Sequence, residues 1–317
     1  MNFLPTINDI IEASGRIAPY VHKTPVLTSV AINSITGTKL FFKCENFQKA
    51  GAFKSRGATN AVFSLSEQEC KRGVTTHSSG NHAAALALAA GRRNAKSYIV
   101  MPENAPEIKK KAVAGYGAEV IFCEATVKAR EETCQKVIEE KGAVFIHPYN
   151  NEKIITGQAT CAKEIIDEIG DPDFIISPLG GGGLLSGTLA SAVHFGKNIK
   201  VIGAEPKGAD DAFRSVRDGK IYPSVNPETI ADGLLTQLGD LTFGIVSKYV
   251  DEIITVEESS IVAAMRMIWE RMKIIVEPSA AVSLAVVMEN EEKFAGKKTA
   301  LILSGGNVDL EKLPWDK

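Results

Sequence analysis

From about position 97 onward, the 317-residue chain switches between short runs of β-branched and aromatic residues and longer runs whose apolar positions recur three or four apart. "SYIVM", "AEVIFC" and "AVFIHP" read as strands, and "APEIKKKAVAGYG" and "TVKAREETCQKVIEEKG" between them read as helices. A second series follows: helix "NEKIITGQATCAKEIIDEIG", strand "DFIISPL", helix "GLLSGTLASAVHFG", strand "KVIGAE", then "DEIITV", helix "ESSIVAAMRMIWERM" and a closing buried strand in "KTALILSGG". Strands that alternate with helices close most economically as parallel neighbours with helical crossovers. The expected fold class is therefore α/β with a mostly parallel sheet. No repeat period, low-complexity tract or long Pro/Gly/Ser linker divides the chain, so any division into lobes must come from topology. The expected smaller lobe is 75–148, set into a larger one built from 1–74 and 149–317.

Composition narrows the function classes. With 44% hydrophobic and 23% charged residues the chain can fill a large core, and a net charge of -2 gives no sustained attraction to nucleic acid or anionic membranes. No apolar run approaches the ~20 residues that would span a bilayer, and "MNFLPTINDIIEASGRI" lacks the basic-then-apolar order of a secretory leader, so the expected location is cytoplasmic. Five cysteines without a C-x-x-C pair, and five histidines without H-x-x-x-H spacing, argue against a disulfide framework and against a Cys or His metal site. Lys109, Lys110 and Lys111 read as a solvated helix face.

Three glycine-rich junctions fall where strands end and helices begin, the place where α/β sheets gather ligands. In "ISPLGGGGLLSG", Gly180, Gly181, Gly182 and Gly183 remove every Cβ between an apolar strand and a small-residue helix, so backbone N–H groups can wrap a phosphate. The same stretch nearly satisfies a dinucleotide pattern, with Glu205 ending a later strand, which keeps an NAD-dependent dehydrogenase as an alternative. In "THSSGNHAAALALAA", Ser78, Ser79, Gly80, Asn81 and His82 load one helix start with more polar groups than capping needs, which suits an anionic substrate group. In "LILSGGNVD", Ser304 follows a buried strand and either bonds local backbone or meets a ligand. A fourth stretch, "GAFKSRG", sets Lys54 directly behind Phe53 between glycines, an unusual setting for a surface lysine.

Taken in order, "FQKAGAFKSRGA", "SSGNHAAALA", "SPLGGGGLLSG" and "LSGGNVD" resemble the fold type II pyridoxal-phosphate enzymes, and within them the serine racemase and serine/threonine dehydratase family. The likeness runs from "KTPVL" at 23 to "SGGNVDL" at 304. It implies the tryptophan synthase β-like fold of two lobes, each a mostly parallel sheet with flanking helices, in a homodimer. It also implies pyridoxal 5'-phosphate as cofactor, bonded to Lys54 beside Phe53. A lysine can do this only as a neutral amine, which desolvation favours. By the same resemblance Gly180 to Gly183 and the Leu184 amide hold the phosphate, Asn81 the ring hydroxyl and Ser304 the ring nitrogen. A serine there does not force that nitrogen to stay protonated.

Ser78, Ser79, Asn81 and His82 match the positions that grip an amino acid carboxylate. Lys54 and Ser79 match two proton-transfer groups on opposite faces of the α-carbon. The implied activities are racemisation of serine and dehydration of L-serine and L-threonine, with 3-hydroxyaspartate ammonia-lyase as a rival for which Arg130 or Tyr149 would receive the extra carboxylate. The stretch "GAEPKGADDA" resembles the family's cation loop, with Glu205, the Ala209 carbonyl and Asp211 as ligands to Mg2+ or Ca2+.

Overall fold

The computed structural model describes residues 3–105 and 107–315, and the ten strands formed there sort into two sheets. Strands β1 (Val26–Leu27), β2 (Lys39–Cys44), β3 (Val74–His77), β4 (Ser97–Pro102) and β5 (Glu119–Cys123) precede β6 (Val144–Phe145), β7 (Phe174–Pro178), β8 (Lys200–Pro206), β9 (Glu252–Val256) and β10 (Lys298–Leu303). The larger sheet runs β1-β2-β10-β7-β8-β9 and the smaller β5-β4-β3-β6. All pairings among them are parallel except β1 with β2, where Val26 faces Lys43.

Every strand expected from position 97 onward is present. Two elements are shorter than the pattern suggested: of "AVFIHP" only Val144–Phe145 pairs, and the helix within "APEIKKKAVAGYG" spans Glu107–Gly115. Strand β2 is the instructive omission from the sequence reading. It lies between β1 and β10, yet its apolar run is broken by Lys43, whose side chain is fully buried. The ammonium is matched by Glu164 at 2.6 Å and by the Thr24 carbonyl at 2.6 Å, so a charge occupies a position where the strand pattern calls for an apolar residue.

Each sheet carries its own core. Leu40, Phe42, Ile176, Ile202, Leu301 and Leu303 pack on the Pro278–Glu289 helix, and Val74, Ile99 and Met101 pack on the Asn81–Arg92 helix. The Lys54–Phe63 helix touches both the Asn81–Arg92 helix and the Glu152–Ile169 helix. Its approach to the second is very close: a Cβ added to Gly157 would stand 2.6 Å from the Gly57 Cα. All five cysteines are buried and unbridged. No helix among the described residues is long and apolar enough to cross a membrane.

Candidate active site

Lys54 opens its helix where two parts of the fold meet. Phe53 N–H donates to the Ser304 carbonyl at 3.0 Å, tying the helix start to the end of β10, and the Lys54 ammonium donates to the Pro148 carbonyl at 2.8 Å. The Phe53 ring centroid lies 5.1 Å from Nζ. Desolvation pulls the Lys54 amine down to about 8, against the opposing pull of the Glu277 carboxylate, so an appreciable neutral fraction exists near physiological pH.

Lys54 lines a cavity of about 1080 Å³, and two helix N-termini open into it. The Asn81–Arg92 helix starts after Gly80 with no side-chain cap; the Ser78 hydroxyl instead accepts from Gly80 N–H at 3.4 Å. The Gly183–Phe195 helix starts after Gly182, also without a side-chain cap. Gly182 sits at φ +85°, a conformation that L side chains rarely adopt, and a Cβ on Gly183 would touch the Tyr149 backbone at 3.1 Å. Each end leaves N–H donors and a partial positive charge at the cavity that Lys54 also lines.

The cavity brings together every residue expected of the cofactor and substrate sites: Phe53, Lys54, Ser78, Ser79, Asn81, His82, Arg130, Tyr149, Gly180 to Gly183, Leu184 and Ser304. His82 enters in an unexpected state. Its Nε2 donates to the Ile146 carbonyl at 3.1 Å and burial pushes the imidazole down to about 3, so the ring is neutral and carries no charge for a carboxylate. Its contribution to an anion is limited to the backbone at the helix start. Arg130 Nε bonds Thr126 O at 3.4 Å, and among the described residues it is Lys128, at 3.7 Å, that approaches Glu132.

Four cavity residues escaped the sequence reading. Glu277 is buried, accepts from Asn81 Nδ2 at 2.9 and 3.2 Å, and is pushed up to about 7 by desolvation and by Asp232. His147 Nδ1 accepts from the backbone of Tyr149 at 3.2 Å and of Asn150 at 2.9 Å, and burial holds this ring down at about 4. Lys109 and Asp232 pair at 2.7 Å on the cavity wall, so Lys109 is not merely part of a solvated face. None of the four carries a local motif, and Glu277, Lys109 and Asp232 matter through partners far away in the chain.

Glu205, Ala209 and Asp211 lie outside the cavity lining. The Glu205 carboxylate accepts from Ala212 N–H at 2.9 Å and Phe213 N–H at 2.8 Å, so its charge does have a partner, the start of the Asp211–Asp218 helix. Burial still holds it well above the usual carboxylate range. Asp211 is raised to about 6, chiefly by desolvation, and its Oδ2 is buried without a hydrogen-bond partner. Among the described residues no cluster of three or more His, Cys, Asp or Glu side chains is arranged to hold a metal.

Comparison with known proteins gives a consistent picture. The profile of the family described as "Pyridoxal-phosphate dependent enzyme" matches residues 17–305. The beta-hydroxyaspartate dehydratase of Paracoccus denitrificans is 48% identical over 314 residues, 99% of this chain and 100% of that protein. The serine racemase of Dictyostelium discoideum is 51% identical over 312 residues, 97% of this chain and 96% of that one. The structure of maize serine racemase superposes with a TM-score of 0.95 at 47% identity, covering 98% of this chain and 95% of that one.

Proposed function

Because this chain belongs to the family of pyridoxal-phosphate dependent enzymes, we propose that it acts on small hydroxy amino acids, racemising serine and dehydrating L-serine and L-threonine to α-keto acid and ammonia. The observation that carries the reading is a desolvated lysine lining one cavity together with two uncapped helix N-termini. The residues suit the cofactor. Gly180 to Gly183 and the Leu184 amide would hold its phosphate, Lys54 its aldehyde carbon, Asn81 its ring hydroxyl and Ser304 its ring nitrogen. Bound there, pyridoxal phosphate supplies an electron-withdrawing ring that lowers the acidity barrier at the substrate α-carbon.

The chain's own groups do the rest. The helix start at Ser78, Ser79, Asn81 and His82 binds the substrate carboxylate through backbone N–H and hydroxyl donors. Lys54, neutral at its amine, takes the α-proton from one face. Ser79 serves the other face: return of a proton there inverts the centre, whereas departure of the β-hydroxyl with the proton removes water instead. Ser79→Ala is expected to abolish racemisation while sparing dehydration of L-serine, measured by chiral chromatography and keto-acid release. Equal loss of both would contradict the two-face scheme.

A second reading, 3-hydroxyaspartate ammonia-lyase, is favoured by Arg130 on the cavity wall, with Tyr149 nearby as an alternative receiver of the extra carboxylate, and by the relative from Paracoccus denitrificans. Comparing kcat/KM for L-serine, L-threonine and the 3-hydroxyaspartate isomers ranks the two, and a preference above ~100-fold for the diacid would overturn the first reading.

The proposal extends to Mg2+ or Ca2+ at Glu205, the Ala209 carbonyl and Asp211, supported by the unpartnered, buried Asp211 Oδ2 and by two carboxyls that burial keeps unusually basic. It extends as well to a cofactor-binding lobe of 1–74 and 149–317 with a smaller lobe of 75–148, in a cytoplasmic homodimer.

A further inference from the structure

Asn81 presents a side-chain amide to the cavity, and an amide can face either way: oxygen inward, offering an acceptor, or nitrogen inward, offering a donor. Only the second is useful to a ring oxygen that carries negative charge. The surroundings of Asn81 settle the choice through a chain of three side chains that starts from the Ala50 carbonyl, a group that can only accept, and ends on the Glu277 carboxyl. At one end the Glu277 carboxylate takes Asn81 Nδ2 at 2.9 and 3.2 Å. At the other the Ala50 carbonyl takes Asn307 Nδ2 at 2.8 Å, and the same Asn307 nitrogen donates to Asn81 Oδ1 at 2.9 Å. Every donor in the sequence Ala50, Asn307, Asn81, Glu277 meets an acceptor, and reversing any one amide would set like against like.

We infer that Glu277 and Asn307 are positioning residues that lock the Asn81 amide with its nitrogen toward Glu277 and the cavity and its oxygen toward Asn307. Asn81 and Glu277 both line the cavity, whereas Asn307 stands outside it, exposed at the surface. The clamp also accounts for two glycines of the sequence motifs. A Cβ on Gly305 would stand 2.6 Å from Glu277 Oε1, and a Cβ on Gly51 would run into the Asn307 side-chain amide. Glu277 is further held by its backbone, whose N–H donates to the Gly305 carbonyl at 3.0 Å, and Gly306 N–H donates to the Gly51 carbonyl at 2.9 Å. The turn before Lys54, the turn after β10 and the start of the Asn81–Arg92 helix are thereby fastened at one point. This inference rests on the cofactor reading above, and deepens it by assigning the orientation of the Asn81 donor to residues that need not touch the cofactor.

Isosteric substitutions separate polarity from packing. Asn307→Asp keeps the shape and replaces both donors by acceptors facing Ala50 O and Asn81 Oδ1; Asn307→Ala removes the group; Glu277→Gln keeps the shape and makes that end ambiguous. Position 307 is exposed, so its variants are expected to fold, as melting curves would verify. The measurements are the absorption maximum of the cofactor-loaded protein, the dissociation constant for pyridoxal phosphate, and kcat and KM for L-serine. The expected result is a shifted absorption maximum and a dissociation constant raised about tenfold in Asn307→Asp, with a smaller effect in Asn307→Ala and a spectral shift in Glu277→Gln. Equal behaviour of Asn307→Asp and Asn307→Ala, or unchanged spectra and affinity in all three variants, would overturn the clamp. A wild-type protein that binds no cofactor would instead overturn the underlying reading, so the two failures are distinguishable.

Discussion

Lys54 is the residue on which the proposed chemistry turns, and what would make it reactive is its surroundings rather than its type. An exposed lysine holds its proton to pH ~10.4; burial beside Phe53 brings Lys54 down to about 8, with the Glu277 carboxylate limiting the drop. Because the neutral form attacks, covalent capture of pyridoxal phosphate should speed up as pH rises and level off above an apparent midpoint near 8. Stopped-flow absorbance across pH 6 to 10 measures this, and a rate still climbing tenfold per unit at pH 10 would show an ordinary lysine. Residues of this kind were legible because their motifs are local: "FKSRG", "SSGNH" and the four glycines each announce a strand end or helix start. Glu277 was not, since its partner Asn81 lies 196 positions away and nothing around "IVEPSA" marks a carboxylate bound for a cavity. His82 shows the opposite limit: its place was readable, but its neutral state follows from burial, against the opposing pull of the Ile146 carbonyl, and only the fold reveals either.

Among the elements, the Lys54–Phe63 helix has the most exacting placement. Arg56, two residues after Lys54 and fully buried, donates to Glu45 at 2.8 Å and to Glu164 at 2.7 and 2.8 Å, joining this helix to the end of β2 and to the Glu152–Ile169 helix. Buried ion pairs of this sort contribute little net stability over an apolar core, yet breaking one leaves an unmatched charge, so they fix geometry. The Gly57 and Gly157 backbones then set how near the two helices lie. Gly157→Ala would force them apart and is expected to cost about 1–3 kcal/mol and to weaken cofactor binding, measured by denaturant unfolding and titration. A fully stable variant with unchanged affinity would mean that the close crossing is not required. Most helices and strands here follow from periodicity; β2 does not, because Lys43, one residue before its end, is matched by Glu164, 121 positions away.

On the scale of the molecule, two sheets contribute to one cavity, the smaller through the ends of β3 and β6 and the larger through those of β7 and β10. Neither sheet alone supplies both uncapped helix starts. The Glu205 and Asp211 carboxyls stand apart from that cavity, so a cation bound there acts on the fold before it acts on chemistry. Mg2+ or Ca2+ should raise the melting temperature of the wild type by a few degrees and leave Asp211→Asn unmoved; equal stabilisation of both would remove the proposed site. The α/β class and the ligand-gathering junctions could be anticipated from the sequence, because strand and helix periods and glycine-rich turns are local features. The pairing of Lys109 with Asp232 across the cavity wall could not, since it depends on how the two sheets are set together. The most direct measurement is mass spectrometry of the cofactor-supplemented protein after borohydride reduction. The expected result is one added pyridoxyl phosphate mass on the peptide carrying Lys54, absent in Lys54→Ala; an unmodified peptide, or labelling spread over other lysines, would contradict it.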